Sequence, residues 1–139
     1  MISFLYETDF DLGETSKYTD WLLQVADSES KKIGEISFVF ASDEYLLRLN
    51  RRYLNHDYYT DILTFDYSEG DVISGDIFIS VDRVRENAGL FNVEVEKEFL
   101  RVMVHGLLHL FGYSDAEEGE KMIMRAKEDE KITLFHVEH

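Results

Sequence analysis

The stretch HGLLHLFGYSD, residues 105–115, sets two histidines four positions apart in an apolar run, then a glycine at 112 and an aspartate at 115. On a helix, residues i and i+4 lie one turn apart on nearly the same face, with Cβ atoms ~6 Å apart. His105 and His109 can therefore aim imidazole nitrogens at one point. Zinc takes nitrogen ligands at ~2.0–2.1 Å in a tetrahedron, and such a pair supplies one edge of it. The same straight helix cannot supply a third ligand, because six residues beyond His109 it would have climbed ~9 Å. Gly112 lets the chain turn back, since glycine adopts the left-handed conformation that ends helices. Asp115 then follows, able to point its carboxylate at the pair. Two histidines at this spacing are also common without any metal, and spacing alone leaves a plain core or surface pair open.

Working outward, Asn92 is the expected cap of the helix VEVEKEFLRVMVHGLLHLF, with acidic residues in its first turn where the helix dipole favours them. Glu94, Glu98, Arg101, His105 and His109 form one polar stripe, whereas Val95, Phe99, Val102 and Met103 lie off it. The histidines continue the polar stripe, which points to a groove. After Gly112, a last helix is expected from Asp115 or Ala116 to about Lys127.

Upstream, ISFLY (2–6) reads as a short first strand, and Thr15 or Ser16 caps a helix to about residue 27 with Trp21, Leu22, Val25 and Ala26 on one face. EISFVFAS (35–42) alternates and is rich in β-formers. Ser42 or Asp43 caps the helix DEYLLRLNRRYL, and NHDYY breaks it. TDILTFDY (60–67) and SGDIFISV (74–81) read as antiparallel neighbours joined by a short loop. Asp82 then caps a helix ending near Ala88 and Gly89. These elements predict one α+β domain spanning 1–139, with about four strands in a mixed sheet, about five helices, and a metal site on a helix and the turn after it.

The 139 residues suffice for one core, and 45% hydrophobic and 14% aromatic content favours a packed globule over disorder. No apolar run approaches the ~18 residues that span a bilayer. The acidic MISFLYETDFDLGE does not read as a signal peptide, so a cytoplasmic protein without a membrane partner is expected. Cysteine is absent, which excludes disulfides, thiolate zinc sites and cysteine nucleophiles. Any metal must be held by histidine and carboxylate, and the five histidines are at 56, 105, 109, 136 and 139, the last two in a C-terminal HVEH expected to fray. The net charge of −15 repels nucleic acid on average, so a nucleic-acid partner requires a local basic patch. The densest cluster is Arg48, Arg51 and Arg52. Arg48 and Arg52 share a helix face and are the candidate substrate-binding pair, although a solvated helix face would look the same.

With these residues in view, HGLLHLFGYSD resembles the HGxLHLxGYDH signature of the YbeY family, metal-dependent endoribonucleases linked to ribosomal RNA maturation. LNRRYLNHDYYTDILTF is similar to that family's LNxxYRxxDxxTDVLSF, and GDIFIS to its GDI strand. The likeness runs from about residue 35 to 128, with the three motifs in the family's order. It implies a zinc-dependent, single-strand-specific endoribonuclease acting in rRNA maturation, including 16S rRNA 3′-end processing, and in ribosome quality control. It further implies one Zn²⁺ per chain, single-stranded rRNA precursors as substrate, and ribosomal proteins as partners.

Carried over by position, the metal ligands are His105, His109 and, where the family has its third histidine, Asp115. Ser114 replaces the family's aspartate, and Leu54 replaces an arginine implicated in RNA handling, a role that could pass to Arg51 or Arg52. Two neutral histidines and one carboxylate leave a divalent site less positive than three histidines would. That set also suits ferrous iron, so other divalent metals stay open. Gly106 stands where a HExxH protease carries its general base, which disfavours that chemistry. No general base can be named from sequence. Two further readings are a metal-dependent hydrolase of another substrate and a ribosome-associated binding protein with a structural metal.

Overall fold

A computed structural model of the chain describes residues 1–138, the side chain of Glu138 excepted; His139 lies outside the described residues. Strand β1 (Ile2–Tyr6) leads into helix α1 (Ser16–Ser28), followed by β2 (Lys32–Ala41) and α2 (Asp43–Leu54). The hairpin β3 (Ile62–Asp66) and β4 (Val72–Ser80) precedes three helices, α3 (Val81–Phe91), α4 (Val95–Phe111) and α5 (Glu118–Glu138). The four strands form one mixed sheet in the order β1-β2-β4-β3. β1 and β4 both run parallel to β2, and β3 runs antiparallel to β4 with Ile62 opposite Ile79. The expected α+β class, four strands and five helices are all present among the described residues.

Alternation along the strands separates two apolar layers. Ile36, Phe38 and Phe40 of β2 and Ile77 and Ile79 of β4 are buried on one face against α1, α4 and α5. Phe78, Leu63 and Phe65 point to the other face, where α2 packs through Leu46 and Leu49. Trp21 is fully buried and its indole N–H donates to the Lys131 carbonyl at 2.7 Å, which ties α1 to α5. No helix among the described residues is long and apolar enough to cross a membrane.

Gly106 sets how closely α4 lies on the sheet. A Cβ there would stand 2.7 Å from Ile77 Cγ2 and 2.8 Å from Ile62 Cδ1, so only glycine permits this approach. The contact brings the polar stripe of α4 over the start of β3. The glycine that excludes a HExxH base from the sequence thus has a packing role as well.

Helix boundaries depart from expectation at several ends. Ser42 caps α2 as expected, accepting from the Tyr45 N–H at 3.1 Å, but α3 is capped by Ser80 rather than Asp82, through the Arg83 N–H at 3.0 Å. Gly89 does not end α3; the helix continues to Phe91 and Asn92 closes it in the left-handed conformation, φ 54°. Asn92 therefore serves the end of one helix and not the start of the next, because asparagine tolerates that conformation nearly as glycine does. Finally, α5 runs to Glu138, well past Lys127, because Ile132 and Phe135 bury against the core. The HVEH segment is helical as far as it is described.

Candidate metal centre

Helix α4 carries His105 and His109 one turn apart, their rings 4.5 Å between centroids and nearly perpendicular at 81°. Gly112 ends the helix with φ 110°, its N–H donating to the His109 carbonyl at 3.0 Å. The turn returns the chain as its spacing predicts. Asp115 Oδ2 lies 3.3 Å from His105 Nε2, and Asp115 Oδ1 lies 3.5 Å from His109 Nε2. One ligand atom from each of the three residues lies within 4.8 Å of the other two. The three side chains are partly exposed, at 20%, 27% and 41%, so the group opens to solvent.

The opposite ring nitrogens are both engaged. His109 Nδ1 is 3.0 Å from the Tyr113 carbonyl, an acceptor only, so Nδ1 carries the proton. His105 Nδ1 is 2.5 Å from Glu128 Oε2 and donates to that carboxylate. In the neutral imidazoles this leaves both Nε2 lone pairs directed at Asp115, itself an acceptor. Three converging acceptors, two of them imidazoles fixed from behind through Nδ1, form a donor set and outer-shell arrangement suited to a divalent cation. The residues present fit such an ion.

Two further links hold this arrangement. Arg101 Nη1 donates to Glu128 Oε1 at 2.8 Å and its Nη2 to Asp129 at 2.7 Å, fixing the carboxylate that orients His105. The Tyr113 hydroxyl donates to Glu29 at 2.5 Å, and Glu29 also receives Lys131 Nζ at 2.8 Å and Lys127 Nζ at 3.2 Å. Burial works against the Glu29 charge, but the hydrogen bonds from Lys131, Tyr113 and Lys127 outweigh it and lower its pKa to about 2. The turn whose carbonyl aims His109 is thereby anchored to the end of α1.

Beside these three residues lies a cleft of about 290 Å³. Asp61, Glu98, Arg101, His105, Asp115, Arg125 and Glu128 supply its polar lining, and Asn87, Phe91 and Val102 complete it. Burial raises the pKa of Asp61, against the favourable charge of His105, and burial likewise raises that of Glu98. At His105, burial pushes the pKa down, but the hydrogen bond and charge of Glu128 prevail and hold it above the ordinary imidazole value. Glu98, Arg101 and His105 of the polar stripe do face a groove, whereas Glu94 lines a separate hollow near Lys97.

The family described as Endoribonuclease YbeY matches residues 5–136. The chain belongs to the YbeY family. The protein named Endoribonuclease YbeY from Flavobacterium psychrophilum is 54% identical over 137 residues, covering 99% of this chain and 98% of that protein. Its namesake from Flavobacterium johnsoniae is 54% identical over 138 residues, with 99% of each covered. A solution structure from Thermotoga maritima superposes with a TM-score of 0.71 at 30% identity, over 97% of this chain and 89% of that one.

Within this YbeY fold the structure brings His105, His109 and Asp115 together, and it places Arg48 and Arg52 elsewhere. They lie on α2, on the sheet face opposite α4, with Arg48 over the Tyr45 ring at 5.8 Å and Arg52 over Tyr53 at 5.4 Å. They do not line the cleft, whose arginines are Arg101 and Arg125. Arg51 is ion-paired with Asp57. Sequence reasoning missed Glu128, Asp61 and Arg125. Asp61 stood inside the TDILTF stretch without being singled out, and Glu128 and Arg125 had no local spacing to connect them to the histidines.

Proposed function

We propose that this chain folds as one metal-dependent hydrolase domain that cleaves single-stranded RNA, with rRNA precursors as substrate. Processing at the 16S rRNA 3′ end, ribosome quality control, a cytoplasmic location and contact with ribosomal proteins complete the proposal and rest on family membership. The observation that carries it is the convergence of both Nε2 atoms and the Asp115 carboxylate on one point beside an open cleft. Zn²⁺, one ion per chain, is the proposed occupant, held by His105, His109 and Asp115. Three protein donors on the rim of a cleft favour a catalytic over a structural role, since structural sites are closed by four.

When bound, a divalent ion there supplies Lewis acidity toward a phosphodiester. The chain's own groups do the rest. Glu128 and the Tyr113 carbonyl hold the imidazoles in the tautomer that leaves Nε2 unprotonated, and Arg101 keeps Glu128 in place. Asp61 lines the cleft with a carboxyl whose pKa is raised, which suits it to take a proton from an attacking hydroxyl of the substrate. Arg48 and Arg52, without ion pairs among the described residues, are proposed to meet RNA phosphates outside the cleft.

The test is cleavage of matched single-stranded and duplex RNA by the purified chain, stripped with a chelator and then reloaded with zinc. Cleavage of the single strand, abolished on stripping and regained on reloading, is expected. Cleavage that survives complete removal of metal contradicts the proposal. For the outer arginines, the double variant Arg48→Ala, Arg52→Ala should flatten the salt dependence of RNA binding by ~0.7 in log–log slope for each phosphate no longer neutralised. An unchanged slope removes that patch from the interface.

A further inference from the structure

Of the two arginines lining the cleft, one is held in ion pairs and the other is not, although its charge reaches Glu98. Arg101 is bound to both Glu128 and Asp129. Arg125 is exposed and has no ion pair among the described residues. Asp61, Glu98 and Glu128 line the same cleft, so away from the candidate metal centre at His105, His109 and Asp115 a phosphate finds its opposite charge at Arg125. On the α3 side of the cleft stands Phe91, 58% exposed at the end of the helix. An aromatic ring left largely in water beside a charged cleft has a free face for stacking.

We propose that this cleft contains a subsite for one unpaired nucleotide, in which Phe91 stacks the nucleobase and Arg125 holds the adjoining phosphate. The inference rests on the ribonuclease proposal and deepens it by naming what selects single strands. At about 290 Å³ the cleft is at the small end of ligand pockets and suits one nucleotide unit rather than a helix. A paired base has both faces covered by its neighbours and cannot stack on Phe91, whereas an unpaired base can be splayed out onto an aromatic ring. Asn87, one helical turn before Phe91 on the same wall, offers an amide to the edge of the stacked base. Single-strand preference then follows from the cleft itself.

The test uses Phe91→Trp as a reporter. The chain's single tryptophan, Trp21, is fully buried, so a change in emission on adding RNA comes from position 91. The probe is a single-stranded hexanucleotide with 2′-O-methyl groups, which remove the internal nucleophile, added to the zinc-loaded chain. Quenching by the single strand, with none by the duplex of the same sequence, is expected. Phe91→Leu should weaken binding of the probe to the otherwise native chain by roughly 10-fold, with Phe91→Tyr restoring it. Arg125→Gln should flatten the salt dependence by ~0.7 in log–log slope. Equal quenching by duplex, or wild-type affinity and slope in Phe91→Leu and Arg125→Gln while the native chain still cleaves RNA, overturns the subsite and leaves the ribonuclease proposal standing. A native chain that neither binds the probe nor cleaves RNA overturns both.

Discussion

Glu128 receives the Nδ1 proton of His105 at 2.5 Å from a position 23 residues further along the chain, on a different helix. The carboxylate is almost fully buried, and Arg101 balances its charge. This pairing fixes which nitrogen of His105 is free to bind a metal.

Glu128→Gln keeps the shape of the side chain but removes the charge that favours a protonated Nδ1. Metal affinity, measured by competition with a chromophoric chelator, should fall by about 10- to 100-fold, the usual range for loss of an outer-shell partner. An affinity within about twofold of wild type, well short of that range, would mean that Glu128 serves only to hold Arg101.

Asp61→Asn should leave metal content unchanged and lower the rate of RNA cleavage at saturating substrate by about 100-fold or more, as expected for loss of a general base. The acid limb of the pH–rate profile should disappear with it. A variant that keeps both the rate and the acid limb would remove Asp61 from the chemistry.

Glu29 makes stability depend on acid. Its pKa is about 2 in the folded chain, against an ordinary value of 4.5, so the folded state binds fewer protons than the unfolded one as pH falls between them. Its contribution is complete above the ordinary value and vanishes as pH drops toward the folded one. In urea titrations, the stability gap between the native chain and Glu29→Gln should be widest near neutrality and shrink steadily below about pH 4.5. A gap that does not change with pH would show that the Lys131, Lys127 and Tyr113 hydrogen bonds do not depend on the charge.

Gly106→Ala should destabilise the chain by about 2 kcal/mol, since the new methyl collides with Ile77 and Ile62 in a filled core. Chemical denaturation measures this directly. A neutral substitution would mean that α4 can lift from the sheet without cost, and with it His105 from Asp61.

Much of this candidate site was legible because its three proposed ligands are local. His105 and His109 share a helix face by spacing alone, and Gly112 with φ 110° performs the reversal that brings Asp115 back. Glu128 and Asp61 were not legible, because the distances that matter are set by how α5 and β3 pack against α4, and no sequence period records those. The strands and helices followed alternation and spacing well. The failures were at ends where two signals compete: Asn92 can cap either helix, and it closes α3 in the left-handed conformation with its N–H turned back to the Ala88 and Gly89 carbonyls. Helix α5 outran its expected end because the burial of Ile132 and Phe135 lies beyond the motif that drew attention to its start. Arg48 and Arg52 illustrate the same limit, since their charge was visible but the face of the sheet they occupy was not.

The most direct measurement is metal content per chain by elemental analysis after dialysis against trace zinc, for the native protein and for His105→Ala, His109→Ala and Asp115→His. About one ion per native chain is expected, with depletion in both alanine variants and retention in Asp115→His, where an imidazole replaces the carboxylate as a nitrogen donor. Full occupancy in both alanine variants would contradict the assignment of the metal centre to these residues.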